Sequence, residues 1–421
     1  MTYPPDAAGV VVIGAGPAGS AAAAHLSAAG HDVLVLERTP DASTRTGAAA
    51  LSPAAVRELE VLGLGDADTE GWQRTTGVRF VGGGMRLALA WPDAGGRPAH
   101  GLTTSRSALD DTLASYAVRS GARLRRGTEV TSFTRDAAGR VDGVTTTDGA
   151  VRADVVIDAS GGTLDAGAGV GTRSRGAVAV SADFESPRHT DDHVESWLRL
   201  SAGDGAALPG HGWIVGRGDG RVTVGVGALA EDTTATADAC AGVLQRWLTA
   251  LPANWQLTES SMTGAVSGDR LGTGVTTSPY YADGVLRVGD AASVAHPVTG
   301  EGFTAALTSG RLAAVAVARA LTHSGAAGRE AELTAYDAVL ARALGRHRPL
   351  GRAAARVLDN PRATRLVTTW ALPREPLMKL VLARVTAPNH TAVETCVTPS
   401  TMKRVTRAAA HPGTERGVDQ R

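Results

Sequence analysis

The chain has 421 residues, enough for two packed domains or for one domain that another interrupts. Its 42 basic and 42 acidic residues leave no net charge, which argues against nucleic acid or any strongly charged partner. Cys240 and Cys396 are too few and too far apart for a metal site or a redox pair, and no apolar run approaches the roughly 20 residues of a membrane-spanning helix. We therefore expect a cytoplasmic protein with buried thiols and no metal.

The first feature along the chain is a strand–turn–helix–strand unit over residues 10–38. A short apolar strand is followed by Gly14, Gly16 and Gly19 in the spacing G-x-G-x-x-G. In this motif the first glycine permits a tight turn, the second lets the backbone approach a pyrophosphate, and the third lets the helix pack on the strand. The helix N-terminus offers N–H groups to phosphates, and Glu37 after the next strand can bind ribose hydroxyls. The unit predicts a bound dinucleotide.

The middle of the chain leaves this nucleotide fold and then returns to it. Alternation of apolar residues predicts strands, and a period near 3.6 predicts helices. In chain order we predict a helix ending near Gly63, strands within 75–102, a helix over Ser107–Ser120, a strand pair of Arg123–Arg135 and Val141–Thr147, a buried strand over Asp154–Ala159, strands within 176–230, and a helix over Ala235–Leu251. The excursion indicates an inserted substrate domain.

A second glycine-opened unit lies near residues 284–314. Its short strand ends at Gly289-Asp290, and Gly300–Gly302 opens a long helix. An aspartate at a strand end can bind a ribityl hydroxyl, and a helix N-terminus can hold a flavin ring or phosphate. Two such turns favour FAD over NAD, because the longer ligand spans both.

The C-terminal part reads as helical from Arg329 to Thr406, followed by a disordered tail over 408–421. Within it, Leu377, Leu380, Val381 and Val385 recur at helical spacing. Docking on the main body is the preferred interpretation, and peripheral membrane contact is the alternative.

The two glycine units together, GAGPAGS…LER and GDAA…P-x-T-G-E-G…SGRLAA, resemble the FAD-dependent oxidoreductases of the geranylgeranyl reductase family, which are relatives of para-hydroxybenzoate hydroxylase. The likeness also covers 51–65, 105–124 and 208–229. It implies FAD as cofactor and an α/β (α+β overall) fold: a Rossmann-like FAD-binding domain interrupted by an antiparallel substrate sheet, plus C-terminal helices. The expected boundaries are 1–74, 103–175 and 281–328 for the FAD domain, 75–102 and 176–280 for the substrate domain, and 329–407 for the C-terminal helices.

Candidate site residues follow from the motifs and from the resemblance. The latter implies that Arg106 contacts FAD, Asp290 its ribityl chain, and Thr299–Gly302 the isoalloxazine, while His211 and Trp213 line the substrate site. The predicted cofactor-binding residues are Gly14, Ala15, Gly16, Pro17, Ala18, Gly19, Glu37, Arg38, Arg45, Arg106, Gly289, Asp290, Pro297, Gly300, Glu301 and Gly302. His296 is either a proton donor or a turn histidine. His25 and His31 are expected to be exposed.

The chain also departs from the family pattern. Gly47 stands where isoprenoid reductases carry a cysteine, and HGWIVG keeps Trp213 but lacks the Tyr, Phe and Pro of Y-x-W-x-F-P. Ser160 replaces an aspartate that serves nicotinamide handling in hydroxylases, so the electron donor, NAD(P)H or another reductant, stays open.

The leading hypothesis is hydride transfer from flavin to a carbon–carbon double bond of a small or medium hydrophobic substrate, isoprenoid-like or a specialised metabolite. The first alternative is a monooxygenase that acts through a flavin hydroperoxide. The second is a non-catalytic flavin electron relay. The sequence gives no indication of the oligomeric state.

Overall fold

The protein is represented by a computed structural model that describes residues 6–41, 45–93, 98–161, 176–201, 208–230, 236–272, 279–295, 301–344, 363, 365 and 367–386. Within these ranges the strands form an eight-stranded, a seven-stranded and a three-stranded sheet. The mixed architecture confirms the predicted fold class, a Rossmann-like domain with a second sheet and C-terminal helices. The domain boundaries given above stay a prediction.

The eight-stranded sheet carries the nucleotide motif. Its central strands run parallel and consist of apolar residues that are buried on both faces, as the uninterrupted valine and leucine runs predict. The strands are β1 Ala7–Ile13, β2 Val33–Glu37, β8 Arg123–Arg126, β9 Val130–Arg135, β10 Val141–Thr146, β11 Gly149–Asp158, β17 Tyr281–Ala282 and β18 Val285–Arg287. Their order in the sheet is β17-β18-β11-β1-β2-β8, with β10 paired to β11 and β9 paired to β10.

One strand prediction in this sheet was wrong. The predicted strand Arg123–Arg135 is two strands, because the chain turns at Gly127, whose φ is 70°. The first piece, β8, joins β2 in parallel, whereas β9 forms the expected antiparallel hairpin with β10. Alternation alone does not show where a strand changes its partner.

Alanine-rich helices pack against this sheet. They are α1 Pro17–Ala28, α2 Pro53–Leu62, α3 Arg106–Arg119, α5 Phe303–Ala320 and α6 Ala326–Leu344. Ser52 and Ser105 cap α2 and α3 by accepting backbone N–H bonds. A Cβ added to Gly310 would lie 2.3 Å from the carbonyl oxygen of Ala18, so α5 and α1 meet backbone to backbone. Small side chains at the contact permit this approach.

The strands of the seven-stranded sheet are β5 Gly77–Gly82, β6 Met85–Ala90, β12 Gly176–Glu185, β13 His193–Leu198, β14 Gly210–Gly216, β15 Arg221–Ala230 and β16 Ser267–Gly272. Their order is β16-β12-β15-β14-β13-β5-β6. The sheet is antiparallel except for the pair β13–β5, whose strands are separated in sequence by part of the nucleotide domain. Helix α4, Ala237–Thr249, covers one face and is shorter than predicted because Thr236 caps it.

A three-stranded sheet of β3 Ala48–Leu51, β7 Gly101–Ser105 and β4 Gln73–Thr75 lies at the start of the inserted part of the chain. Thr103 on β7 donates to the carbonyl oxygen of Gly216, the last residue of β14, at 2.6 Å. This hydrogen bond ties the small sheet to the seven-stranded sheet.

The C-terminal helix α7, Glu375–Thr386, packs on the seven-stranded sheet through Met378 and Leu382, which contact Leu89 of β6. The apolar positions that the sequence singled out are different. Leu377, Leu380 and Val381 are 41, 52 and 42% exposed, and nothing is described of the side chain of Val385. Docking therefore uses the other side of the helix. Among the described residues we find no helix with the length and apolarity that crossing a membrane requires.

A buried ion pair joins α5 to α2. Arg311 donates to both carboxylate oxygens of Glu58 at 2.8 Å, with both side chains at most 4% exposed. His25 on α1 lies close by and is 5% exposed, so the expectation that it is solvated was wrong. Burial, aided by the charge of Arg311, lowers the pKa of His25 to about 4. His31 is partly buried and lies after the helix rather than in it.

The cysteine prediction can be followed at one position. Cys240 on α4 is fully buried, and burial raises the pKa of its thiol, so it behaves as a small apolar residue. Cys396 lies outside the described residues.

Candidate active site

The glycine turn after β1 is closed everywhere except at its second glycine. An added Cβ at Gly14, whose φ is 97°, would lie 2.6 Å from the carbonyl oxygen of Ala159, and one at Gly19 would lie 2.0 Å from that of Gly14. No atom lies within 4 Å of a Cβ added at Gly16. The open side of the turn is therefore at Gly16, where the motif requires a pyrophosphate to approach.

The start of α1 adds hydrogen-bond donors to this opening. Gly16 is the N-cap residue and supplies no side-chain cap, and Pro17 occupies the first helical position. First-turn amides such as those of Ala18 and Gly19 have no intrahelical acceptor and are suited to phosphate oxygens.

Glu37 links the end of β2 to the same turn. Its carboxylate accepts the N–H of Ala15 at 2.8 Å and that of Thr39 at 2.9 Å. Burial by itself raises the pKa of Glu37, but these backbone donors hold it below the ordinary value, so the group is ionised. Glu37 therefore lies beside the glycine turn. Ribose binding by Glu37 and cofactor binding by the exposed Arg38 stay predictions.

Arg45 and Arg106 converge on a residue that the sequence analysis missed. The Nε of Arg45 and the Nη2 of Arg106 each lie 3.6 Å from an Oδ2 atom of Asp110 on α3. The Arg106 guanidinium also lies 5.0 Å from the ring centre of Phe303 at the start of α5. Burial raises the pKa of Asp110 against the effect of the two arginines. The sequence contains one signal that could have identified Asp110: it lies four residues after Arg106, and oppositely charged residues at this spacing are neighbours on a helix.

Two polar atoms of this cluster lack partners. Within the part of the chain that the structure describes, Arg106 Nε and Asp110 Oδ1 are buried without a hydrogen bond. Buried polar atoms are nearly always paired, so such atoms indicate that a group binds there. A cofactor with phosphates, hydroxyls and ring nitrogens suits both a donor and an acceptor.

The second glycine unit meets the first in space. A Cβ added to Gly289 would lie 2.9 Å from the Cβ of Ala18 at the start of α1. Asp290, the residue after Gly289, lies in turn close to the start of α5, because a Cβ added to Gly302 would lie 3.7 Å from its Oδ1 atom. The structure therefore brings Asp290, Gly289 and Gly302 to the glycine turn, as the prediction of a ligand spanning both turns requires.

The carboxylate of Glu301 accepts hydrogen bonds from the first turn of α5. Its Oε1 accepts the N–H of Thr304 at 2.8 Å and the hydroxyl at 3.1 Å, and burial raises its pKa. The neighbouring candidates His296, Pro297, Thr299 and Gly300 lie outside the described residues. Their proposed roles stay predictions. The remaining residues fit FAD: an open glycine, free helix amides, an ionised Glu37 and unpaired polar atoms around Arg106.

One face of the seven-stranded sheet is turned toward the nucleotide domain. Residues paired directly across strands share a face, and one such row crosses the whole sheet. A Cβ added to Gly47 would lie 3.4 Å from Ser181 Oγ in this row, and the Gly47 N–H lies 3.4 Å from Asp183 Oδ2. The row consists of Ser267, Ser181, Gly225, Trp213, Ser196, Phe80 and Leu87.

His211 and Trp213 lie in the middle of this face, and their contact with substrate stays a prediction. Their rings are 5.9 Å apart and tilted by 56°. Burial lowers the pKa of His211 to about 4, so its imidazole is neutral at physiological pH. Within the described ranges neither ring forms a hydrogen bond to protein. At the far end, the C-terminal segment covers the apolar residues Leu87 and Leu89.

A group of metal-type side chains lies elsewhere in the sheet domain. Asp191, Asp192 and His193 approach one another closely enough to share an ion. However, Asp191 is paired with Arg79 at 2.9 Å and also with Arg188, while Asp192 Oδ1 lies 2.7 Å from His193 Nδ1. Guanidinium partners satisfy the partly buried carboxylate of Asp191, and we assign no metal to these residues.

Comparison with known proteins places this site in a family context. The family described as FAD binding domain matches residues 7–343. Over 313 residues the chain is 35% identical to menaquinone reductase of Mycolicibacterium smegmatis, covering 73% of this chain and 75% of that relative. It is 30% identical over 325 residues to digeranylgeranylglycerophospholipid reductase 1 of Methanopyrus kandleri, covering 72% and 78%.

A solved structure shares the fold. The crystal structure of a geranylgeranyl bacteriochlorophyll reductase-like protein from Thermoplasma acidophilum superposes with a TM-score of 0.71 at 20% identity. The match covers 96% of this chain and 92% of that one. At this level of identity the likeness concerns architecture alone.

Proposed function

Because the chain belongs to the FAD binding domain family and is an FAD-dependent oxidoreductase of the geranylgeranyl reductase type, we propose that it reduces a carbon–carbon double bond in the isoprenoid chain of a quinone. The observation that carries this proposal is the sheet face around Trp213, which is apolar toward the partly buried Phe80 and Leu87 and neutral-polar at His211. Bound FAD supplies the hydride. Gly16, Glu37, Arg106 and the residues beside them are proposed to hold it.

The neutral state of His211 supports a quinone head group rather than a diphosphate. A neutral imidazole has one N–H to donate to a carbonyl oxygen, but it has no charge to balance a diphosphate. Burial that lowers the pKa of His211 to about 4 keeps this state throughout the physiological range. The relative named menaquinone reductase points to the same class of substrate.

Addition of hydride to one carbon of a double bond requires a proton at the other carbon. We propose His296 as the proton donor, since it directly precedes the flavin-side turn in the sequence. The residues of the sheet face and the C-terminal segment would hold the apolar chain and exclude water from the reacting carbons.

The function is tested by a single anaerobic turnover. The FAD-loaded protein is reduced with dithionite, which removes the question of the natural donor, and mixed with menaquinone-4 without oxygen. We expect reoxidation of the flavin and, once air has returned the ring of the extracted product to the quinone, a mass that is still roughly 2 Da higher, because the two hydrogens were added to a double bond of the isoprenoid chain. His211→Phe is expected to weaken menaquinone binding, since it keeps the ring and removes the hydrogen bond.

The same experiment separates the alternatives. No anaerobic reoxidation, together with incorporation of labelled oxygen from O₂, would establish the monooxygenase instead. Flavin reoxidation by menaquinone-4 that gives only the quinol, with no saturated isoprenoid chain, would indicate electron relay. The donor is examined separately by mixing oxidised protein with NADH or NADPH, and we propose that one of the two bleaches the flavin.

An apolar substrate of this kind resides in membranes, and we propose that α7 and Trp370, which lies shortly before it in the chain, provide peripheral membrane contact. Trp370 is 62% exposed and lies close to Leu377, Leu380 and Val381 in sequence, and tryptophan suits the bilayer interface. Leu380→Glu should lower co-sedimentation with phosphatidylcholine vesicles about tenfold or more, because burial of a leucine stabilises by about 1.5–3 kcal/mol.

A matched substitution controls this test. Val339→Glu on α6 places the same charge at a residue of similar exposure, 41%, away from α7. Its vesicle binding should equal that of the unsubstituted protein. Equal loss in both variants would show that general charge, rather than contact through α7, governs binding.

A further inference from the structure

We propose that Gly225 and Gly227 are specificity-determining residues, because they let the indole of Trp213 sink against the sheet and so open the space above it for a ring-bearing head group. This inference rests on the proposed function and adds residues that neither the motifs nor the cofactor require. It concerns the floor of the substrate site.

The indole of Trp213 lies where the Cβ atoms of Gly225 and Gly227 on β15 would otherwise be. A Cβ added to Gly225 would lie 2.2 Å from Cζ2, 2.3 Å from Cε2 and 2.7 Å from Nε1 of Trp213. One added to Gly227 would lie 3.2 Å from Cζ3 and 3.7 Å from Cη2. One edge of the ring therefore rests against each glycine. Trp213 pairs directly with Gly225, and His211 with Gly227.

The two glycines occur on one face of an otherwise apolar strand. Val222, Val224 and Val226 of β15 point to α4 and are fully buried. On the opposite face Thr223 is followed by Gly225 and Gly227, although glycine weakens a strand interior. A glycine in such a place marks close approach of another group, and here that group is the indole of Trp213.

An indole displaced from this position has one direction in which to move. Ser181 and Ser196 flank the Gly225–Trp213 pair in the same cross-strand row, and His211 lies beside the ring. Movement away from Gly225 therefore raises the ring from the sheet, into the space between this face and the nucleotide domain. The depth of that space is set by the missing Cβ atoms.

The polarity of the face indicates which part of the substrate uses this depth. His211 offers a neutral imidazole N–H, whereas the partly buried Phe80 and Leu87 form the apolar end. A ring with carbonyl oxygens belongs over Trp213, and the isoprenoid chain belongs over the apolar end. Raising the indole of Trp213 should therefore weaken binding of the quinone ring and leave binding of the isoprenoid chain unchanged.

The test compares binding of menaquinone-4 and geranylgeraniol to the oxidised FAD-loaded protein, measured by quenching of protein fluorescence in detergent. The two ligands share four isoprene units and differ in the quinone ring. Gly225→Ala should weaken menaquinone-4 binding about tenfold or more, as overpacking displaces the ring, and should change geranylgeraniol binding less than about twofold. Gly227→Ala should have a smaller effect in the same direction, because its contact is looser.

Two further variants keep the test decisive. Gly268→Ala on β16 is the matched control, since its nearest neighbour would be 3.7 Å away and it pairs with Val180, which faces α4. Gly225→Ala combined with Trp213→Leu should recover menaquinone-4 binding relative to Gly225→Ala alone. Recovery also shows that the single variant is not simply misfolded, and thermal unfolding measured on each variant checks this independently.

The outcomes separate this inference from the proposed function. Equal weakening of both ligands in Gly225→Ala, no recovery in the double variant, or no binding of menaquinone-4 at all would overturn the inference. Selective loss of menaquinone-4 binding supports it even where the anaerobic turnover fails, because binding is measured without turnover. A failed turnover with intact selectivity would overturn only the proposed reaction.

Discussion

Gly16→Ala is expected to weaken FAD binding roughly 100-fold while leaving the fold of the chain unchanged. No atom lies within 4 Å of a Cβ at this position, and Gly16 has no positive φ, so the free protein accepts the methyl group without strain. The methyl group fills the opening at which the pyrophosphate approaches the backbone. Loss of hydrogen bonds to a charged group costs about 1.5–3 kcal/mol each, so FAD affinity should fall roughly 100-fold.

The measurement is flavin content after reconstitution, with urea unfolding of the FAD-free protein beside it. Gly65→Ala is the matched control, because a Cβ there also meets nothing within 4 Å but lies after α2. We expect Gly65→Ala to bind FAD normally. Normal FAD affinity in Gly16→Ala would contradict the assignment of the opening. Gly14→Ala, by contrast, should destabilise the fold itself, because its Cβ would meet backbone at 2.6 Å.

Arg311→Met should produce the largest loss of stability. The substitution leaves the carboxylate of Glu58 buried without its two hydrogen bonds, and breaking a buried ion pair on one side costs about 3–5 kcal/mol. Urea unfolding of the FAD-free protein measures the change. The double variant Glu58→Met with Arg311→Met should recover most of the loss, since apolar replacements of similar volume are often neutral. A single variant as stable as the unsubstituted protein would contradict this account.

The same variant should change the response to acid through His25. Burial and Arg311 lower the pKa of His25 to about 4 from an ordinary 6.5, so the unfolded chain takes up a proton before the folded chain does. Stability is therefore lost as pH falls from about 6.5 to about 4. Without Arg311 the pKa of His25 should rise, and this slope should become smaller. NMR titration of the His25 ring protons would measure the shift directly.

The nucleotide unit was the part of the fold most accessible from sequence. Gly14, Gly16 and Gly19 lie between a strand and a helix, and each performs a local task that depends on neighbouring residues alone. Local patterns also predicted α5 after Gly302 and the hairpin of β9 and β10. The fold class and the FAD-dependent oxidoreductase assignment were confirmed for this reason.

Errors arose where a distant element decides the environment of a residue. His25 reads as a polar residue on a helix, but α5 buries it beside Arg311. The apolar spacing of α7 pointed to Leu377 and Leu380, whereas Met378 and Leu382 make the contact with Leu89. Helical periodicity indicates that a helix has an apolar side, but the surface it meets selects which residues are covered.

The sequence by itself determined the nucleotide fold, the family and the cofactor, since these depend on short-range backbone chemistry repeated in a fixed order. The tertiary structure alone decided that Arg45 and Arg106 converge on Asp110, and that Trp213 rests on Gly225 and Gly227. These contacts join strands and helices whose pairing is governed by packing of the whole chain. A side chain's neighbours across a sheet depend on register, which no local pattern specifies.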